Sequence, residues 1–269
     1  MSDAINLDAY FDRIRWGGDT SPTFDTLAGI LKAHMLAIPF ENLDVLLGRG
    51  IRLDLASVQA KLVDARRGGY CFEQTTLFAA ALEALGFTPV RHTARVTLFV
   101  PRAQAPRTHM YLTVPLGYDT YMVDPGFGGL APMFPVPVVD AGADAGGTET
   151  HWLTRDGRFW LMRARKPDKV IDAWASAMEE ENLVDFEMGN HYTSTHPSSP
   201  FVNHIMLQAR KPDGYVSIMN RDVNLLRAGV AIPSLLADRA ALRTLLAADF
   251  GIDLPEVETM RVASIPEWD

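Results

Sequence analysis

The chain has 269 residues, 48% of them hydrophobic and 22% charged, and a net charge of −8. That length exceeds one core of ordinary size, so two or three subdomains are expected, and the acidic balance argues against nucleic acid or an anionic membrane as the general partner. A single cysteine excludes an internal disulfide or a CxxC site, and seven dispersed histidines without an HExxH give no reason to expect a metal.

The first third has helical character. Apolar residues at Leu7, Tyr10, Phe11 and Ile14 follow the stripe of a surface helix over Leu7–Trp16. A second helix is expected from about Phe24 to Ala37, ended by Pro39, and a third over roughly Ser57–Ala65. A fourth begins near Cys71 and stops at Gly86, which suits a helix-terminating glycine. The pattern then changes to strands over Val90–Val100, His109–Leu116 and Thr120–Asp124, with a hairpin turning at Asp156-Gly157. Ala131–Thr148, rich in proline, glycine and alanine, reads as a loop. A further hairpin turns at Pro212-Asp213-Gly214, and a helix is expected from about Ser234 to Phe250, closed by Gly251. Helices followed by antiparallel strands and then a mixed segment is the order of an α+β chain. The opening MSDAINLDAYFDRIRW is acidic where a secretory leader is basic, and no apolar run approaches the roughly 18 residues of a membrane span. A cytoplasmic location is expected.

The lone cysteine stands in RRGGYCFEQ, Arg66–Gln74. Gly68 and Gly69 are expected to let the backbone turn sharply and place Cys71 in the first turn of the fourth helix. Unpaired N–H groups and the helix dipole favour negative charge there, and such positions lower a cysteine pKa from about 8.5 toward roughly 3.5–7.5. The alternative is a buried structural thiol. A nucleophilic cysteine needs a base, and the base an orienting group. His109 opens one expected strand and Asp124 closes another fifteen residues later, so two neighbouring antiparallel strands can bring both to one edge. Taken singly, they also read as a strand-end histidine and a turn aspartate. The glycines of Asp124–Gly129 suit close approach of backbone N–H groups to an anionic ligand, although the loop is neither a Walker nor a Rossmann fingerprint.

RGGYCFEQ, IPFENLDV (38–45), THMYL (108–112), VDPGFGG (123–129) and NHYTSTHPSSPF (190–201) occur in one order. Together they resemble the arylamine N-acetyltransferase family. The resemblance implies an α+β fold with a helical bundle over 1–86, an antiparallel β-barrel over 87–190, and an interdomain segment with an α/β lid over 191–269. It also implies a Cys–His–Asp arrangement like that of cysteine proteases, here Cys71, His109 and Asp124. Acetyl-CoA is the implied co-substrate, with Thr108, Gly126, Phe127, Gly128 and Gly129 along its cleft. Phe40, Val96, Phe127 and Phe201 are the implied contacts of an aromatic acceptor. No metal, nucleic acid or membrane partner is implied. The expected chemistry is acetyl transfer to an arylamine, arylhydrazine or hydrazide through an acetyl-cysteine. Of Arg66 and Arg67, one is expected in a structural ion pair with Glu41 or Glu73. The alternatives are a cysteine hydrolase or transglutaminase-like enzyme using the same three residues, and a non-catalytic protein that holds an aromatic ligand.

Overall fold

The computed structural model describes residues 4–147, 149–179 and 181–268, so Thr148, the end of the expected loop, and the chain termini lie outside the described residues. Helix α1 (Leu7–Ile14) is capped by Asn6, whose side chain accepts from the Ala9 N–H at 3.1 Å. It stops short of Trp16 because Arg15 turns left-handed, with φ 57°. Helix α2 (Phe24–Ala37) starts at a Thr23 cap, a short α3 (Leu43–Leu46) follows, and α4 (Leu55–Gln59) passes into a π-helical turn over Ala60–Asp64. The third helix therefore begins two residues before the expected Ser57, where Asp54 accepts from the Ser57 N–H. Helix α5 (Cys71–Ala84) carries the cysteine at its first position and ends ahead of Gly86, at φ 86°. The helices close over Leu27, Ile30, Leu31, Leu77, Phe78 and Leu82, all fully buried.

Seven antiparallel strands follow: β1 (Val90–Val96), β2 (Arg107–Leu116), β3 (Asp119–Val123), β4 (Val136–Pro137), β5 (His151–Asp156), β6 (Phe159–Arg165) and β7 (Val170–Ser176). Their spatial order is β4-β3-β2-β1-β7-β6-β5, and the edges β4 and β5 return against each other, so the sheet curls into a nearly closed barrel. Tyr111, Met122, Leu153, Met162 and Trp174 fill its interior. The first strand ends at Val96, earlier than Val100, and the expected loop after Ala131 contains the short β4. Helices α6 (Leu183–Thr195) and α7 (Pro200–Asn203) lead to a four-stranded meander, β8 (Met206–Lys211), β9 (Gly214–Met219), β10 (Asp222–Arg227) and β11 (Val230–Leu235). Helix α8 (Arg239–Leu245), extended by a π-helical turn to Phe250 and closed by Gly251 at φ 67°, packs on that sheet through Leu242 and Leu246. The helix expected from Ser234 begins later because Ser234 and Leu235 belong to β11. Asp238 caps it by accepting from the Ala241 N–H at 2.8 Å.

Candidate active site

The turn before Cys71 is shaped by crowding. Neither Gly68 nor Gly69 has positive φ, contrary to the sharp-turn expectation; the left-handed residue is Arg66, at φ 53°. A Cβ on Gly68 would lie 2.2 Å from the Pro39 carbonyl oxygen, and one on Gly69 2.8 Å from the Glu73 carboxylate. This close approach lets Phe40 bridge to Gly69 on one side and to Gln208 of β8 on the other. The Glu73 carboxylate accepts from the Tyr70 N–H at 3.1 Å, closing the start of α5.

Beneath the turn lies a buried ion network. Arg67 donates to Glu41 at 2.7 Å and to Asp44 at 3.2 Å, while Lys61 pairs with Asp44 at 2.9 Å and Glu73 at 2.8 Å. Arg67 is thus the structural arginine, and among the described residues Arg66 pairs only with the exposed Asp12, at 3.7 Å. Arg49 also reaches Asp44, at 3.3 Å, so three carboxylates face three cations here. Burial, which Lys61 only partly offsets and Glu41 reinforces, raises the Glu73 pKa to about 7.

The barrel brings two further groups to the thiol. The β2–β3 register pairs Leu112 with Val123, and its continuation sets Asp124 opposite Tyr111, two residues from His109 on the same face. The His109 Nε2 lies 2.8 Å from Asp124 Oδ2, with both side chains buried. Since Nε2 is committed to the carboxylate, Nδ1 is the nitrogen left for Cys71, whose side chain favours the charged form of the ring. The Cys71 Sγ also lies 3.7 Å from the Thr108 carbonyl oxygen. Burial works against a charged imidazole, but the charge and hydrogen bond of Asp124, with the Cys71 side chain, outweigh it and raise the His109 pKa to about 10.

Asp124 is fully buried and accepts three N–H groups. Oδ2 receives His109 and the Trp174 indole N–H at 3.1 Å, while Oδ1 receives the Gly126 N–H at 3.3 Å. The small Ala94 of β1, in register with His109, leaves room for the indole, whose other side stacks on Tyr111 at 4.3 Å. The glycine loop then folds over the thiol: a Cβ on Gly126 would fall 2.5 Å from Cys71 Cα. Phe127 meets the His109 ring edge-on at 4.7 Å, and the Phe40 ring covers Gly128. Phe40 and Phe201, 6.1 Å apart, share a cluster with Tyr70 and Cys71. Gly129 is exposed beside Gln208, and Val96 stands opposite Trp174 in the β1–β7 ladder. A separate cavity of about 780 Å³, lined by Arg95, Thr97, Phe99, Arg102 and Phe159, contains none of these candidates.

Three residues that the motifs did not signal also belong here. Trp174 holds Asp124. Arg210 donates from Nη2 to the carbonyls of Gly128 (3.2 Å) and Ala131 (2.9 Å), tying β8 to the glycine loop. Gln208 is buried with its Oε1 unpartnered among the described residues. A buried thiol, an imidazole and a carboxylate in series can store charge as a thiolate–imidazolium pair and attack an activated acyl group.

A family model described as N-acetyltransferase matches residues 23–259. The arylamine N-acetyltransferase of Escherichia coli is 34% identical over 94% of this chain and 90% of its own length. That of Mycobacterium tuberculosis is 36% identical over 94% and 92%. The solved structure of the Mycobacterium marinum arylamine N-acetyltransferase in complex with CoA superposes with a TM-score of 0.86, at 33% identity, over 94% of both chains.

Proposed function

The chain belongs to the arylamine N-acetyltransferase family, and from that premise we propose that Cys71 carries the acetyl group between its two substrates. The enzyme transfers an acetyl group from acetyl-CoA to the nitrogen of arylamines; arylhydrazines and hydrazides offer the same weakly basic nitrogen and are further acceptors. The observation that best supports the cysteine route is His109, bonded to Asp124 at 2.8 Å through Nε2 and interacting with Cys71 on its other side.

In this reading the Cys71 thiolate attacks the thioester carbonyl, and N–H groups of the first turn of α5 stabilise the developing oxyanion. The C–S bond to CoA breaks as the imidazolium of His109 protonates the departing thiolate, leaving an acetyl thioester on Sγ. The amine nitrogen then attacks that carbonyl, neutral His109 takes its proton, and the Cys71 thiolate leaves, restoring the ion pair. Asp124 keeps the ring oriented and balances its charge. One sulfur ester is exchanged for another in the first half, so the step is near balance.

Gly126, Phe127, Gly128, Gly129 and the Thr108 carbonyl line the approach of the CoA thiol arm in this assignment, and Phe40, Phe127 and Phe201 receive the aromatic ring, with Val96 on the barrel side. The unpartnered Gln208 Oε1 against Gly129 supports a polar ligand there. Among the described residues no helix is long and apolar enough to cross a membrane. A lone thiol nucleophile suits a reducing compartment, which supports the cytoplasm as the site of action.

Intact mass after incubation with acetyl-CoA alone tests the proposal. One acetyl group on Cys71, discharged on adding an aniline, is the expected result, together with parallel initial-rate plots for the two substrates. Continuous CoA release without an amine would mean a hydrolase, and an unmodified cysteine would remove Cys71 from its role.

A further inference from the structure

On the strands around the glycine loop, neighbouring cations are paired: Arg163 with Asp172 at 2.7 Å, Arg165 with Asp144 at 2.8 Å, and Lys211 with Asp249 at 3.9 Å. Lys166 and Arg210, each adjacent in sequence to one of these, have no carboxylate partner among the described residues. Arg210 spends Nη2 on the loop carbonyls, while its Nε is buried and unpartnered. Lys166 is exposed at the end of β6, in the Lys166–Lys169 turn closed by the Lys166 N–H on the Lys169 carbonyl.

The β5–β6 register brings a third group to the same place. His151 pairs with Ala164, and this row continues the positions Leu153 and Met162 that face the barrel interior. One step beyond, His151 and Lys166 stand at the mouth of that interior face, with Phe134 edge-on to the His151 ring at 5.9 Å. Arg210 bears on both: after burial, its charge is the largest cause that lowers the proton affinity of His151, to about 4, and of Lys166. In a chain of net charge −8, a protein that leaves cations so crowded has provided for an anion.

We propose that Lys166, Arg210 and His151 form an anion subsite at the outer end of the glycine loop, and that it takes a phosphate group of the CoA nucleotide. The inference rests on acetyl-CoA being the donor. The loop supplies the spacing: Gly126 packs on Cys71 and Ala131 is bonded to Arg210. The intervening chain reaches at most about 17 Å, a span the extended pantetheine arm covers. Along that path Gln208 Oε1 lacks a donor, and a pantetheine amide N–H is a donor of the required kind. The thiol end thus meets Cys71 while the phosphates reach the cations Lys166 and Arg210, where charge-assisted hydrogen bonds are the strong ones, with the neutral His151 ring as a further hydrogen-bonding group.

Calorimetric titration of the whole protein with CoA, 3′-dephospho-CoA and pantetheine tests this. Lys166→Met, which removes no side-chain hydrogen bond among the described residues, is expected to weaken CoA about tenfold and to leave pantetheine within twofold. If 3′-dephospho-CoA is unaffected by the substitution, the 3′-phosphate is the group bound; if it weakens equally, the diphosphate is. Arg210→Met gives a larger loss, because it also frees the loop. CoA binding within twofold of wild type in Lys166→Met, or an equal loss for pantetheine, overturns the subsite. The transferase reading fails separately, if the wild-type protein forms no acetyl-cysteine from either acetyl-CoA or the phosphate-free donor S-acetylpantetheine.

Discussion

Replacing Asp124 by asparagine separates charge from shape at the centre of the site. The carboxylate is fully buried and receives three N–H donors, two on Oδ2 and one on Oδ1. An asparagine offers one oxygen and one NH2 group. If the oxygen faces His109 and Trp174, the amide opposes the Gly126 N–H; if it is flipped, the amide opposes both rings. Either way at least one buried donor is unsatisfied, at a cost of about 1–3 kcal/mol. For a chain of this size that corresponds to a fall in Tm of roughly 2–10 °C, so an isosteric side chain is not a neutral one here.

The charge matters more for the chemistry. His109 is held at about 10 chiefly because Asp124 overcomes the burial that disfavours the imidazolium. Without the carboxylate's charge, burial dominates and the ring loses its proton below the ordinary value near 6.5. At pH 7 the imidazolium then becomes a minor species. Acetyl-cysteine formation, followed by rapid quench and intact mass with acetyl-CoA alone, should fall by roughly two to four orders of magnitude, the upper end matching the equivalent change in a serine protease. Acetylation within a few-fold of wild type at pH 7 would refute the reasoning and reduce the site to a Cys–His pair.

The pH dependence follows from the same ring. Because the folded pKa of His109 is raised, its contribution to stability is complete below the unfolded value near 6.5 and is lost as the pH climbs through about 10. Urea midpoints of wild type and His109→Gln should accordingly converge by about pH 10.5, and a difference unchanged across that range would count against the charged pair. Arg67→Met leaves Glu41, which has no exposed surface, with only the distant Lys61 among the described cations, and should cost about 3–5 kcal/mol in urea unfolding; a loss under about 1 kcal/mol would mean that Lys61 and Arg49 suffice to neutralise the network. Gly126→Ala places a methyl 2.5 Å from Cys71 Cα, so the loop must shift and acetylation should slow by at least about tenfold, with roughly 1–3 kcal/mol of stability lost; unaltered acetylation would show that the loop is not held against the cysteine.

The residues that local sequence can identify are those whose role is set by their own stretch of chain. Cys71 heads a helix because glycines crowd the turn before it and Gly86 ends the helix after it, and both signals sit within sixteen residues of the thiol. The arrangement of the fold, helices before antiparallel strands before a mixed segment, is similarly carried by runs of periodic residues. Helix α6 is different. Its sequence, LVDFEMGNHYTST, contains glycine, asparagine and threonine that disfavour a helix, and it is stabilised from outside. A Cβ on Gly189 would meet the Arg107 carbonyl oxygen at 2.8 Å and the Phe72 ring at 2.9 Å, so the glycine exists for contact with β2 and α5.

Trp174 carries the same lesson into the site. In DAWAS it has the look of any buried tryptophan, and its distance from Asp124 in sequence is 50 residues. It reaches the carboxylate because β7 pairs with β1, β1 pairs with β2, and the strand between is small at Ala94. Arg210 and Lys166 likewise acquire a function only when β8 and the β6–β7 turn are brought to the glycine loop. Each is an ordinary cation in its own segment, and what distinguishes it is its place at the outer end of the glycine loop. Motifs therefore point to the groups proposed to react, whose chemistry is local, while the groups proposed to orient them and receive the distal end of a ligand are specified by strand order.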